Sequence, residues 1–252
     1  MRLACIIPVH NMAATVGKAI DSALANCDDV MVVDDCSSDG TPDVLASYGD
    51  RITVWRWPSK PSNWVAAQRV VWDATTADHY TWLGADDWLM PGFGDVVLQH
   101  ADAGVVFTDY MVVTPQAQPL WIVSQDVTQP VRLTAEQMRS RIQSGRNATE
   151  TGSGSSLRAD VAAWLWWSGF DAMGPHADSI GYATAACMFG AALVPYVGAA
   201  FTWTQTSYSR PANETPEGLL DKAVTCCRWM DSVGLDEATA KALATKRCGV
   251  QW

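Results

Sequence analysis

Short apolar runs alternate with amphipathic stretches along the first part of the chain. Leu3–Ile7 and Val30–Val33 are continuously apolar, which is typical of strands buried on both faces of a sheet. Between them, the apolar positions of Ala13–Ala25 recur at helical spacing. Two further runs predict strands, Ile52–Trp57 and Tyr80–Leu83. The alternation predicts an α/β fold with a mostly parallel central sheet flanked by helices.

The second half of the chain has a less regular pattern. Val105–Thr108 predicts another strand. Gly145–Ser156 is polar and rich in Gly and Ser, which indicates either a mobile loop or the acceptor-side edge of a binding site. Thr134–Ile142 predicts a helix with Thr134 as N-cap and a capping-box glutamine at position 137. Pro216–Lys246 is largely helical and predicts a C-terminal helical cap.

Length and composition fit one large domain. The 252 residues are 48% hydrophobic and 17% charged, so the chain can bury a sizeable core and is not a disordered polymer. We divide it into two halves of one domain, residues 1–103 and 104–210, followed by a C-terminal helical segment, residues 211–252.

Charge and cysteine content exclude several classes of protein. The net charge of −10 argues against a broad basic surface that binds nucleic acid and against a polybasic membrane anchor. The longest apolar region, Ala185–Phe201, is interrupted by two glycines and a proline, so no transmembrane segment is predicted. Seven cysteines without a C-x-x-C pair, and an N-terminal run that is typical of a strand rather than a signal peptide, predict a reduced, cytoplasmic protein.

Polar clusters follow three of the predicted strands. They are Pro8–Asn11, Asp34–Asp39, and the pair Asp86 and Asp87. Ligands of parallel α/β sheets bind outside the carboxyl ends of the strands. Hard cations such as Mn²⁺ or Mg²⁺ prefer carboxylate oxygens together with substrate phosphates. The clusters therefore predict a metal and diphosphate site, while the absence of glycine-rich dinucleotide and P-loop motifs disfavours those nucleotide folds.

Three segments resemble, in order, the motifs of the family 2 glycosyltransferases with the Rossmann-like GT-A fold. They are Ile6–Asn11, Val32–Thr41 and Trp82–Gly92. The resemblance implies an inverting, metal-dependent transfer of a sugar from a nucleotide-diphosphate donor, typically a UDP-sugar, to a hydroxyl acceptor. The first half of the domain would bind the nucleotide sugar, and the second half would bind the acceptor.

The resemblance also implies roles for individual residues. Asp86 and Asp87 would hold Mn²⁺ or Mg²⁺, and Asp35 would hydrogen-bond the base of the donor. The donor-binding residues that it implies are Pro8, Val9, His10, Asn11, Asp35 and Asp86. Two arginines, Arg69 and Arg210, are candidates to pair with the diphosphate because guanidinium groups bind phosphate well.

A general base must take the proton of the attacking hydroxyl. Asp178 matches the position of the family's base, and Asp171 is the alternative. The chain departs from the family pattern at Gly84, where a further Asp is common, and at Ala177, where a Glu usually precedes the base. These departures motivate another hypothesis, a catalytically inactive protein that binds a nucleotide sugar or carbohydrate on the same fold. The 13 tryptophans would suit carbohydrate binding.

The acceptor is left open by the sequence. A glycan, a lipid-linked saccharide, a protein, or a hydroxymethylated DNA base modified by a viral enzyme all remain candidates, whereas the lack of a predicted span excludes a polymer-extruding synthase. A sugar nucleotidyltransferase is disfavoured because Met12–Lys18 lacks a glycine-rich basic loop. No histidine pair has zinc-site spacing, and we expect His79 and His100 to lie at the surface.

Overall fold

Ten strands form one mixed sheet in the computed structural model, which describes residues 1–57, 75–146, 152–170, 177–204 and 215–250. The strands are β1 (Leu3–Val9), β2 (Asp29–Asp34), β3 (Thr53–Arg56), β4 (His79–Trp82), β5 (Trp88–Leu89), β6 (Val105–Val113), β7 (Pro119–Val123), β8 (Val131–Leu133), β9 (Ser155–Arg158) and β10 (Ala191–Thr202). Their order is β3-β2-β1-β4-β9-β6-β10-β5, with β7 beside β6 and β8 beside β10.

The predicted parallel arrangement holds within two blocks of this sheet. Strands β3, β2, β1 and β4 run parallel to one another, and β6 runs parallel to β10. Strand β9 lies between the two blocks and is antiparallel to both β4 and β6. The α/β fold with a central sheet is therefore confirmed, but the sheet is mixed. Strand β9 joins its two parts in the opposite direction, and β5, β7 and β8 are also antiparallel to their neighbours.

Strand β9 comes from the segment for which the sequence indicated a loop or site edge. Its hydroxyl groups are tolerated in the interior because they are bonded. Ser156 Oγ donates to His79 Nδ1 over 2.7 Å, and the Ser155 carbonyl accepts from Thr81 Oγ1 over 2.7 Å. The expectation that His79 lies at the surface is wrong. It is fully buried, its Nε2 donates to the Ala101 carbonyl over 2.8 Å, and burial lowers its pKa.

Eight α-helices in the described part of the chain cover the two faces of the sheet. They are α1 (Val16–Leu24), α2 (Thr41–Ala46), α3 (Phe93–Gln99), α4 (Ala135–Gln143), α5 (Ala159–Trp167), α6 (Ala177–Phe189), α7 (Pro216–Ser232) and α8 (Glu237–Cys248). Helices α1 to α3 pack on one face, and α4 to α8 pack on the other. Within the described ranges, no helix has both the length and the apolarity that crossing a membrane requires.

Alternation along the strands supplies both hydrophobic cores. In β1, Ala4 and Ile6 belong to the core under α4 to α8, while Cys5 and Ile7 belong to the core under α1 to α3. The C-terminal helices α7 and α8 contribute buried residues to the first of these cores. The predicted C-terminal helical segment is thus part of the main hydrophobic core and not a separate layer.

Two local details connect sequence to structure. Helix α4 begins with the predicted capping box, in which the Thr134 side chain accepts from the Gln137 backbone over 3.2 Å and the Gln137 side chain accepts from the Thr134 backbone over 2.9 Å. Strand β10 is irregular between Val194 and Ala199. A Cβ at Gly198 would lie 2.2 Å from Thr108 Oγ1, so only glycine permits this close approach to β6.

Candidate active site

The first two predicted polar clusters lie against each other at the ends of β1 and β2. His10 Nδ1 donates to the Asp35 carbonyl over 2.7 Å, and the Asn11 backbone donates to Ser37 Oγ over 2.9 Å. The Asn11 side chain accepts from the Ser38 backbone over 2.8 Å. Asn11 adopts the uncommon left-handed conformation, with φ of 53°. The two loops therefore form one hydrogen-bonded edge.

Asp34 and Asp35 have different surroundings at this edge. Asp34 is 1% exposed, accepts from the Ser37 backbone over 2.9 Å and lies 3.6 Å from Arg56 Nε. Asp35 is 9% exposed and its backbone donates to the Val9 carbonyl over 2.8 Å. Pro8 is half-buried and Val9 is buried. Val9 and His10 therefore contact Asp35 directly, and Asn11 contacts the loop that follows it.

The acidic turn after β4 brings Asp86 and Asp87 to the same side of the sheet. Asp87 is 3% exposed, and both of its carboxylate oxygens accept hydrogen bonds. Oδ1 accepts from the Thr202 backbone over 2.7 Å, and Oδ2 accepts from Ser153 Oγ over 2.7 Å. The Asp86 carboxylate is only half-buried, and its backbone carbonyl accepts from Thr202 Oγ1. The two carboxylates are therefore not equivalent, since Asp86 is the more open of the two.

The electrostatics of this turn favour a cation. Burial first, and then the charges of Asp86 and Asp178, raise the pKa of Asp87 to about 7, although the bonds from Thr202 and Ser153 oppose that shift. Burial also raises the pKa of Asp86. In the part of the chain that the structure describes, no Lys or Arg forms an ion pair with Asp86 or Asp87. Neighbouring negative charges in the interior are unfavourable unless a proton or a bound cation neutralises them.

Gly84 closes the acidic turn tightly. The Asp87 backbone donates to the Gly84 carbonyl over 3.0 Å. A Cβ built at Gly84 would lie 2.8 Å from Asp87 Oδ2 and 3.2 Å from Asp86 Oδ1. Both carboxylates therefore fold back over this glycine. The departure from the family pattern at position 84 fits the turn, because a side chain there would displace the two carboxylates.

Asp178 approaches the acidic turn from the other side. It lies in the first turn of α6, where the helix dipole favours a negative charge, and it is half-buried. Its Oδ2 accepts from the Gly152 backbone over 3.1 Å. Its charge contributes to the raised pKa of Asp87. The predicted base and the predicted metal ligands are thus brought to one site.

An aromatic stack supports the floor between these groups. A Cβ at Gly152 would lie 3.5 Å from Trp82 and 3.5 Å from Asp178. The Trp82 ring stacks on Trp166 with centroids 4.7 Å apart and on Phe170 with centroids 5.6 Å apart. Because Trp82 and Trp166 are almost fully buried, they serve packing and cannot stack on a ligand.

Three candidate residues, Arg69, Arg210 and Asp171, lie outside the described residues. Among the residues that the structure does describe, no group of three His, Cys, Asp or Glu side chains is arranged to hold a metal. Asp86 and Asp87 nevertheless fit a hard cation as a pair, because each carboxylate oxygen retains acceptor capacity and substrate phosphates commonly complete such a shell.

Sequence reasoning missed Thr202. It flagged the segment that contains Gly152 and Ser153 as a loop or a site edge, but it gave neither residue a role. Ser153 is 66 positions from Asp87, and Thr202 is 115 positions from it. Neither belongs to a recognisable motif, and Gly152 contributes only its backbone. The Gly- and Ser-rich pattern marks the segment of Gly152 and Ser153, but their contacts with the carboxylates depend on the pairing of distant strands and have no local pattern.

The candidate site thus lies at the ends of β1, β2 and β4, which is where α/β enzymes with parallel strands bind their ligands. A family model described as glycosyl transferase family 2 matches residues 4–163, which is more than half of the chain. The chain belongs to this family and is a glycosyltransferase.

Solved structures support the GT-A fold. The chain is similar to TarS 1–349 of S. aureus in complex with UDP-GlcNAc, with a TM-score of 0.73 and 14% identity over 98% of this chain and 71% of that chain. It is also similar to the mannosyltransferase PcManGT from Pyrobaculum calidifontis in complex with GDP-Man and Mn²⁺, with a TM-score of 0.61 and 15% identity over 98% of this chain and 69% of that chain. At such low identity these similarities establish the fold alone. No curated protein sequence matches the chain.

Proposed function

We propose that this glycosyltransferase moves a sugar from a nucleotide-diphosphate donor to a hydroxyl acceptor with metal dependence and inversion. The observation that carries the proposal is the convergence of Asp86, Asp87 and Asp178 beside the loops that follow β1 and β2. A uridine donor is supported by the similar TarS structures, which contain UDP-GlcNAc or UDP. Metal use is supported by the similar structure that contains Mn²⁺.

The donor would bind across the ends of β1, β2 and β4. We assign the nucleotide to the edge formed by Pro8–Asn11, with Asp35 as partner of the base. Asp86 and Asp87 would hold Mn²⁺ or Mg²⁺, with the more open Asp86 as the principal ligand. The bound cation would neutralise the negative charge that develops on the departing diphosphate. Arg69 and Arg210 are proposed to assist as diphosphate partners.

Asp178 is proposed as the general base. Its position in the first turn of α6 and the hydrogen bond from the Gly152 backbone keep one carboxylate oxygen fixed. The other oxygen would accept the proton of the acceptor hydroxyl while that hydroxyl attacks the anomeric carbon. Attack on the face opposite the leaving diphosphate inverts the configuration in a single displacement.

The two halves of the domain would divide these tasks. We propose that residues 1–103 bind mainly the nucleotide sugar and that residues 104–210 bind mainly the acceptor, with the helical segment 211–252 completing the core. The buried thiols of Cys5 and Cys187 support a reducing, cytoplasmic setting.

The test measures nucleotide release and binding together. The purified chain is incubated with a panel of UDP-sugars, acceptor hydroxyls and Mn²⁺, and the release of UDP is followed. Calorimetry then gives the affinity for UDP with and without Mn²⁺. We expect turnover with at least one donor and UDP binding that requires Mn²⁺. We expect Asp86→Ala to lose most of this UDP binding, so that added Mn²⁺ no longer increases it.

Asp178→Asn tests the base. We expect its kcat to fall by about 10²- to 10⁴-fold, while UDP binding stays close to that of the wild type. Asp95→Asn is the matched control, because Asp95 also lies in the first turn of a helix but is exposed on α3. Full activity of Asp178→Asn would show that another group is the base.

Two results would contradict the wider proposal. Metal-independent UDP binding would remove the role given to Asp86 and Asp87. Metal-dependent UDP binding without turnover on any acceptor would favour the alternative, an inactive protein that binds a nucleotide sugar.

A further inference from the structure

Two adjacent residues bond the two sides of the candidate active site. Ser153 Oγ donates to Asp87 Oδ2 over 2.7 Å, on the side of the proposed metal. The Gly152 backbone donates to Asp178 Oδ2 over 3.1 Å, on the side of the proposed base. Two neighbouring residues therefore connect the carboxylate proposed to act on the donor side with the carboxylate proposed to act on the acceptor.

This turn is held rigidly by the sheet. The Ser155 backbone donates to the Gly152 carbonyl over 3.1 Å, directly before β9 enters the sheet between β4 and β6. The Gly154 carbonyl accepts from the Thr108 backbone over 3.1 Å and from Thr108 Oγ1 over 2.7 Å. Gly154 has φ of 80°, and a Cβ there would lie 3.2 Å from the Ala199 side chain. A shift of the turn would therefore disturb its contacts with β6 and β10.

The surroundings of the turn are closely packed. Ser153 is 5% exposed and its partner Asp87 is 3% exposed, so water does not compete for that bond. Gly152 lies between Asp178 and the Trp82 ring, with room for at most one methyl group at 3.5 Å from each. A larger side chain at position 152 would have to push Asp178 away, because Trp82 is fixed by its stacked neighbours.

We propose that the Gly152–Ser153 turn is a positioning element. It fixes the position of the proposed base relative to the proposed metal-binding turn. Ser153 acts through Asp87, and Gly152 acts through Asp178. Neither residue is a catalytic group. The inference rests on the proposed function, since it assigns those carboxylates to the donor and to the acceptor.

The two residues of the turn should affect different measurable quantities, Ser153 the binding of UDP and Gly152 the turnover. Loss of the Ser153 hydroxyl releases one oxygen of Asp87 and loosens the acidic turn that includes Asp86. Metal-dependent UDP binding should then weaken. Displacement of Asp178 by a side chain at position 152 leaves the acidic turn intact. Turnover should then fall without a change in UDP binding.

The role of Ser153 is tested with Ser153→Ala and Ser153→Thr. We expect Ser153→Ala to weaken UDP binding in the presence of Mn²⁺ by about 10- to 100-fold, the range typical of groups that orient metal ligands. Ser153→Thr keeps the hydroxyl and should restore most of the affinity. Ser156→Ala is the matched control, since Ser156 is also buried and donates over the same 2.7 Å, but to His79. That control should lower thermal stability without weakening UDP binding.

The role of Gly152 is tested with Gly152→Val. A displacement of the base by about 1 Å is expected to lower kcat by about 10²-fold. The dissociation constant of UDP with Mn²⁺ should stay within about twofold of the wild-type value, because the nearest neighbours of a side chain at position 152 are Asp178 and Trp82 and not the acidic turn.

The outcomes separate this inference from the proposed function. A wild-type protein that neither binds UDP with Mn²⁺ nor turns over would refute both. A wild-type protein that does both, with Ser153→Ala unchanged in binding and Gly152→Val unchanged in kcat, would refute the positioning element alone. Equal losses of UDP affinity in Ser153→Ala and Ser156→Ala would also refute it, because the effect would then be general destabilisation.

Discussion

Replacing Asp87 by Asn should make the metal-free protein more stable at neutral and alkaline pH. Burial and two neighbouring carboxylates raise the pKa of Asp87 from its ordinary 3.8 to about 7. Between these values the folded chain keeps a proton that the unfolded chain has released. Stability from this group is therefore lost as the pH rises from about 4 to about 7, and it does not recover above that range.

The magnitude follows from the width of that window. A carboxyl that ionises near pH 7 when folded and near pH 3.8 when unfolded destabilises the folded state by about 4 kcal/mol at alkaline pH. Asn cannot ionise, yet its amide oxygen can still accept from the Thr202 backbone and its NH₂ group can donate to Ser153 Oγ. The substitution therefore removes the charge and keeps both contacts.

The assay is urea denaturation in the presence of a chelator, from about pH 5 to about pH 8. We expect the free energy of unfolding of Asp87→Asn, relative to the wild type, to increase by about 3 kcal/mol over this range. Asp95→Asn, at an exposed site, is the control. Mn²⁺ added at the alkaline end should stabilise the wild type more than the variant, because the cation would offset the buried charge. A difference that does not vary with pH would show that the reasoning about Asp87 is wrong.

Two further predictions concern the core that supports the site. His79→Leu should lower the free energy of unfolding by about 2–4 kcal/mol in urea denaturation, because both ring nitrogens are bonded in the interior and their partners would be left unsatisfied; a loss below about 1 kcal/mol would contradict this. Trp166→Ala should cost about 3–5 kcal/mol, since the ring is 2% exposed and stacks on Trp82 at 4.7 Å. Thermal denaturation measures the second loss, and an unchanged melting temperature would show that the stack is not needed.

The proposed donor side of the site is predictable from sequence because its residues directly follow the ends of strands. Continuous apolar runs identify β1, β2 and β4, and the polar residues that follow parallel neighbouring strands necessarily meet at one edge. The local pattern is therefore sufficient to predict that one edge of the sheet carries Pro8–Asn11, Asp35, Asp86 and Asp87.

The proposed acceptor side is not predictable in the same way. The segment that forms β9 contains buried serines whose polar groups are satisfied by His79 and Thr81, and such pairs have no local pattern. A polar run of this kind is typical of a loop until its partners are known. The burial of His79 escapes prediction for the same reason, because an imidazole with two bonded nitrogens can be buried at little cost.

The insertion of β9 between β4 and β6 leads us to expect a late step in folding. Thr81 bonds to a residue 74 positions later, so β4 leaves the ribosome long before its second neighbour exists. Until β9 arrives, that edge of the nascent sheet is open to pairing with other chains. Contacts of such large sequence separation slow folding. We therefore expect the amides of β4 and β9 to gain protection from hydrogen exchange together and late, and chaperones that shield open strand edges to raise the yield of this protein.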